Sequence, residues 1–301
     1  MLVSLLYFAD RGRNLPPSPQ PPKVAKTSGA PTSGLRGPTR RPGPRPAHSA
    51  APPPTIRQAV SPANVLPAPR PHTGAVPAKP ARARLSVVID DFGPNLAIAR
   101  QFASIPFPVT LSVLPFLAHS GQIAAMARQR GREVILHLPM EPVDSRINPG
   151  PGALMVSMSS DQIRLSVVAA LTTSPYFDGV NNHEGSRLTQ DAKAMRTVLA
   201  ELKDRKLFFL DSMTINTSVG WKEARLMGVP TFKRDIFLDD NLSAAAIRLQ
   251  IEKAVKIAKA RGAALAIGHP HELTLRALLS SAAYFRQEGV EMVFARDLVG
   301  R

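Results

Sequence analysis

The 301-residue chain has no cysteine, which rules out disulfide bridges and thiolate chemistry but does not by itself choose a compartment. It shows no internal repeat and no glycine-rich phosphate loop, so neither a solenoid nor a nucleotide-cradling fold is indicated. Aromatic residues make up only 5% of the chain, with a single tryptophan. Acidic residues are almost missing from the first 84 positions, where Asp10 stands alone against thirteen Lys and Arg. That stretch also holds nineteen of the thirty prolines and supplies +12 of the formal net charge of +16, leaving the other 217 residues at only +4. The high isoelectric point therefore belongs to the tail. A basic tail with few aromatics offers little to stack on bases, which argues against nucleic acid as a partner.

A Pro-rich, basic segment cannot bury enough apolar surface to offset its ordering entropy, so residues 15–83 are expected to form an extended linker. Residues 1–14 begin with an apolar run, Met1 to Ala9, followed by Arg11 and Arg13. This run is too short to span a bilayer and lacks a signal-peptide cleavage pattern. Apolar run, basic flank and tether in that order suggest the remnant of a membrane anchor. The chain is thus expected to be periplasmic, or held at the inner membrane facing the periplasm, with the folded domain covering residues 84–301.

From Arg84 onward the pattern alternates strand and helix. Strands are expected at Leu85 to Ile89, Val109 to Leu114, Glu133 to Leu138, Gly179 to Asn182, Leu207 to Leu210, Val229 to Phe232, Ala263 to Ile267 and Glu291 to Ala295. Ser159 with Gln162 reads as a capping box, Ser243 as the cap of the longest helix and Gly262 as its stop. Seven or eight such units in this length fit an α/β fold of the irregular (β/α)7-8 barrel type, with a doubly wound open sheet as the competing architecture.

The residues able to do chemistry cluster at the ends of these strands. Asp90 and Asp91 close the first, His137 the third, Asn181-Asn182-His183 the fourth, Asp211 the fifth, and His269 with His271 the seventh. In either parallel architecture these ends share one edge, so side chains remote in sequence converge. Taken singly, Asp91 could cap a helix, Asp211 a turn, and any one histidine could be an ordinary core residue. Together they point to a metal or acid/base site. One carboxylate and two imidazoles with open positions form the ligand set of a catalytic divalent metal, usually Zn²⁺. A spare carboxylate and a further histidine would then serve hydrolysis of an amide or ester.

The motifs VIDDFG, GREVILHLPMEP, GVNNHEGSRLT, FFLDS and AIGHPH, in that order, resemble those of the polysaccharide deacetylases of the NodB-like superfamily, in their divergent bacterial branch. The resemblance covers Arg84 to Gly300. It implies a distorted (β/α) barrel, a bound metal and a carbohydrate substrate from which acetyl groups are removed. It also implies that Asp90 is the catalytic base, Asp91 the metal carboxylate, His137 the first metal histidine after the Gly131 and Glu133 lead-in, and His269 the catalytic acid. Glu141 stands where mainstream members have their second metal histidine. His183 is the expected replacement, with Glu141 as the alternative ligand. Asp211 is expected to support catalytic residues, and His271 to position His269 or take its place. Glu184 would weaken the metal's pull on substrate if it faced the site. Arg234 and Asp235 would form an ion pair beside the site or contact substrate, a purely structural pair being the expected case. The altered ligand set keeps open a second reading, a glycan-binding or scaffold protein with little catalysis. Glycoside hydrolysis by Asp90 and Asp211 would leave the histidines unexplained.

Overall fold

The computed structural model describes residues 82–299. The expected anchor and all but the last two residues of the expected linker lie outside them; Ala83 already belongs to the first strand. Among the described residues no helix is long and apolar enough to cross a membrane.

The strands are β1 (Ala83–Phe92), β2 (Thr110–Val113), β3 (Glu133–Met140), β4 (Gly179–Glu184), β5 (Phe208–Asp211), β6 (Thr231–Lys233), β7 (Ile236–Phe237), β8 (Ala263–Gly268) and β9 (Val290–Val293). The helices are α1 (Leu96–Phe102), α2 (Ser120–Gln129), α3 (Ser160–Leu171), α4 (Ala192–Asp204), α5 (Gly220–Met227), α6 (Ala244–Arg261) and α7 (Glu272–Gln287). All strand pairs are parallel, in the order β6-β5-β4-β3-β2-β1-β8-β7. Because β6 and β7 are separated only by Arg234 and Asp235, one interrupted strand brings the two ends of the curled sheet together. Arg234 N–H donates to Asp211 O of β5 and Asp235 N–H to Leu265 O of β8, both at 2.9 Å. The result is the irregular barrel, not the open doubly wound sheet. The sixth strand is shifted from the expected Val229 to Phe232 because its pairing with β5 starts at Thr231.

Local signals set the helix ends. Ser159 and Gln162 exchange both bonds of a capping box at the start of α3, and Gly262 ends α6 at φ 82°, a conformation open to glycine. Period-two alternation divides the strands between two cores. Leu85, Val87, Ile89, Val134, Leu136, Phe209, Ala264 and Ala266 pack with the helices. Val88, Ile135, Phe208, Leu210, Leu265 and Ile267 fill the barrel. Polar side chains lie above and below this apolar plug.

Candidate metal and catalytic site

The upper polar layer continues the inward-facing positions of the strands. Asp90 follows Val88 on β1, His137 follows Ile135 on β3, and His269 follows Leu265 and Ile267 beyond β8. The register pairs His137 with Asn181, Pro139 with His183, and Ile89 with Gly268. His269 is therefore placed beside Asp90. Both histidines of the central cluster lie inside their strands, since β3 and β4 run further than their apolar runs suggest.

Strict alternation would turn Asp91 away from Asp90. Instead, the β1–β2 register shifts between Ile89 and Phe92, and Asp91 takes φ 59°. This bulge lets neighbouring carboxylates face one site. Asp91 Oδ1 lies 3.2 Å from His137 Nε2 and 3.0 Å from His183 Nδ1, and the two ring nitrogens are 3.1 Å apart. Asp90 Oδ2 stands 3.6 Å from His137 Nε2.

The triangle of ligand atoms fits a metal ion. Bonds of about 2.0–2.2 Å place neighbouring ligands about 3 Å apart. Asp91 Oδ1 is buried and has no hydrogen-bond partner. One proton on His183 Nδ1 could serve Asp91 or His137 but not both, whereas a cation satisfies all three atoms. The protonation balance reflects this clustering of charge. Burial acts against the charged form of Asp91, but the His183 charge and the His137 and His183 imidazoles hold its carboxyl well below the usual range. Burial likewise opposes protonation of His137, and Asp90 and Asp91 outweigh it and raise its pKa.

Asn181, fully buried, bonds to both His137 and Asp90. Its Oδ1 accepts from His137 Nδ1 at 2.8 Å and from Ser112 Oγ at 2.6 Å. Its Nδ2 donates to Asp90 Oδ1 at 2.8 Å and to Ser212 Oγ at 3.2 Å. All four bonding directions of the amide are used. The assignment puts the His137 proton on Nδ1 and leaves Nε2 free for a metal. Asp90 is 2% exposed, and burial raises its pKa despite the opposing His137 charge.

His269 is oriented by Asp239, which follows β7. Asp239 Oδ1 faces His269 Nδ1 at 2.8 Å, and its Oδ2 accepts from His269 N–H and Thr274 Oγ, each at 2.7 Å. Burial alone would lower the His269 pKa, but the Asp239 hydrogen bond and charge push it up to about 10. The imidazole is thus a protonated acid at neutral pH. Phe237 stacks on it at 6.0 Å between centroids, and Arg234 Cζ sits 3.6 Å over the Phe237 ring.

Several expected site residues are placed elsewhere. Asp211 shares the helix-facing side of β5 with Phe209; its oxygens accept from Met213 N–H, Ser218 Oγ and Trp221 N–H, and it touches none of the triad. The same placement removes it from a glycosidase pair with Asp90. Glu141 turns to Val156 N–H at 2.6 Å and Arg187 at 3.1 Å, fastening the loop after β3 instead of joining the triad. Glu184 is outside the ligand cluster. His271 forms no cap bond at the start of α7, and its ring centroid lies 6.2 Å from that of His269. Asp239 holds the His269 ring and N–H, while His271 N–H donates to His269 O at 2.7 Å. Arg234 and Asp235 do not pair with each other. Arg234 donates to Ser212 O and Met213 O, while Asp235 pairs with Arg261. Sequence reasoning missed Asp239, although an acid closing the run Ile236-Phe237-Leu238 repeats the signal that singled out Asp90.

The sequence pattern of divergent polysaccharide deacetylases matches residues 87–299. Uncharacterized protein YibQ of Escherichia coli K12 is 38% identical over 216 residues, 72% of this chain and 67% of that one. An uncharacterized protein of Haemophilus influenzae is 34% identical over 213 residues, 71% of this chain and 75% of its own. Among solved structures, an uncharacterized protein of Agrobacterium tumefaciens shares the fold with a TM-score of 0.69 at 23% identity, covering 74% of this chain and 92% of that one.

Proposed function

Because the chain belongs to the divergent polysaccharide deacetylase family, we propose that it is a metal-dependent hydrolase removing acetyl groups from a carbohydrate of the bacterial envelope. The observation that carries this reading is the Asp91–His137–His183 triangle with its buried, unpartnered carboxylate oxygen. These three residues would hold the ion, with Zn²⁺ the best match to one carboxylate and two imidazoles. When bound, the ion would supply Lewis acidity, polarising the acetyl carbonyl and making water more acidic.

The chain's own residues divide the proton work. Asp90, buried and fixed by Asn181, takes the proton from the attacking water. His269, kept protonated by Asp239, gives a proton to the departing amine or alkoxide. The two stand at the ends of the neighbouring strands β1 and β8. The Pro-rich basic N-terminal segment would tether this domain on the periplasmic side of the inner membrane.

Zinc-loaded full-length protein should release acetate from acetylated chito-oligosaccharides or peptidoglycan, and chelation should stop it. Asp90→Asn should lose about 10²- to 10⁴-fold in rate while still binding zinc by calorimetry. Full activity in that variant would remove Asp90 as the base. Zinc and glycan binding without acetate release under any metal would favour a scaffold.

A further inference from the structure

Backbone strain is concentrated on one rim of the barrel. Five non-glycine residues among those described have left-handed φ: Asp91 at 59°, Phe116 at 60°, Glu184 at 49°, Lys206 at 58° and Met213 at 48°. Lys206 precedes β5. The other four lie at or just beyond the carboxyl ends of β1, β2, β4 and β5, on the rim that carries the ligand triangle. For Asp91 the strained conformation serves the site directly. A bulky aromatic side chain at such a φ is rarer still, and its surroundings must offset the cost.

Phe116 lies in the loop between β2 and α2, and it is 45% exposed. The loop is fastened to the end of β1 immediately after the Asp90–Asp91 pair. Leu114 N–H donates to Phe92 O at 2.7 Å, and His119 N–H to Gly93 O at 3.1 Å. Ser120 Oγ closes the loop by donating to Leu114 O and accepting from Leu117 N–H. Leu117 packs so closely on Gly93 that a Cβ there would meet it at 2.8 Å. On its other side Phe116 rests on Gly152, at φ 77°, where a Cβ would come within 2.4 Å of Cε2. Gly152 belongs to the loop after β3, which is tied back where Leu154 N–H donates to Pro139 O at 2.9 Å. Since β2 lies between β1 and β3, the ring stands between the loops that follow the strands of Asp91 and His137.

We propose that Phe116 is a stacking platform for a pyranose ring of the substrate, and so a residue that sets which glycan is accepted. A pyranose has an apolar C–H face and a hydroxyl periphery. A rigid aromatic ring, half exposed at the edge of a hydrolytic site, matches the face and leaves the hydroxyls to water. Its backbone is already fixed by the two loops, so little conformational freedom is lost on binding. The substrate class rests on the deacetylase reading above, while the platform itself rests on the geometry of the two loops.

The test measures kcat, KM and calorimetric glycan affinity with zinc-loaded full-length protein and acetylated chito-oligosaccharides. Phe116→Gly removes the ring and relaxes the strained φ, whereas Gly152→Ala keeps the ring but displaces it. Both should weaken glycan affinity and raise KM roughly tenfold, the scale of one lost aromatic contact, with kcat and zinc affinity unchanged. Phe116→Tyr should behave as the parent. Unchanged glycan affinity in a folded Phe116→Gly variant would overturn the platform, as would a parent protein that binds no glycan. A parent that binds glycan but releases no acetate would defeat the deacetylase reading alone. The loss of affinity in Phe116→Gly would then still support the platform.

Discussion

The barrel interior holds carboxylates at both ends, and their bonding differs. At the lower end, fully buried Glu133 accepts from Thr110 Oγ at 2.7 Å and Ala295 N–H at 2.8 Å, and faces Arg296 Nε at 3.3 Å. At the upper end, Asp91 Oδ1 faces two imidazole nitrogens and has no hydrogen-bond partner. Between them lies the same apolar plug. The lower cluster is a closed structural network. The upper one leaves a buried carboxylate oxygen without a hydrogen bond. Buried polarity alone does not mark a site, since both ends have it; unmet valence does.

Substitutions should affect the two ends in different ways, and the largest expected effect is at the upper one. The Asp239 hydrogen bond and charge hold the His269 pKa up to about 10 against burial. In Asp239→Asn, return toward the ordinary value of about 6.5 would cost about a hundredfold in the protonated fraction at about pH 8.5. Acetate release measured across pH should fall accordingly on the alkaline side; an unmoved limb would separate Asp239 from the proton donor. The pair also contributes to folding. A histidine raised in the folded state adds stability that is full below the unfolded pKa and lost as pH rises through about 10. Urea titrations of the parent should show that decline, and those of Asp239→Asn should not.

Asn181 provides the next contrast. Asn181→Ala releases His137 Nδ1 and Asp90 together, and zinc affinity by calorimetry should fall about 10- to 100-fold. Asn181→Asp keeps the acceptor for His137 but loses the donor to Asp90, so it should spare zinc binding more than it spares turnover. Equal losses in both variants would break the separation between ligand support and base support.

The smallest effect is expected at the closed end. Burial raises the Glu133 pKa to about 7, with Thr110 and Arg296 acting in the opposite direction. A carboxyl raised in the folded state favours folding most below its unfolded pKa of about 4.5, and this contribution declines as pH rises through about 7. Glu133→Gln keeps an acceptor for Thr110 and Ala295, and should abolish that dependence with zinc affinity untouched. A change in zinc affinity would mean that the two layers communicate through the plug.

Much of this was legible from alternation along the strands. Counting by twos from Val88, Ile135 and Ile267 leads inward to Asp90, His137 and His269, and the same count from Phe209 sends Asp211 outward. Expecting Asp211 in the pocket came from noting where its strand ends without following that parity. Asp91 is the converse case, because a bulge at φ 59° overrides the alternation and no residue preference announces it. Asp239 is the harder case because β7 is two residues long and pairs only with β8, so the apolar run before this acid is shorter than the one before Asp90. Glu141 matched a family position, yet Val156 N–H and Arg187 hold its carboxylate, a contact that depends on the path of a loop.

β1 bonds along one edge to β8 through Arg84–Ile89, and along the other to β9 at Ala83–Ser86 and to β2 beyond. Among the described strands, the one that presents Asp90 and Asp91 is thus the first to be synthesised and among the last to be fully flanked, because two of its neighbours come from the far end of the domain. A nascent chain must keep this aliphatic segment from aggregating until nearly the whole domain has been translated. Such long-range closure slows folding and makes premature termination within the last helices incompatible with a working centre.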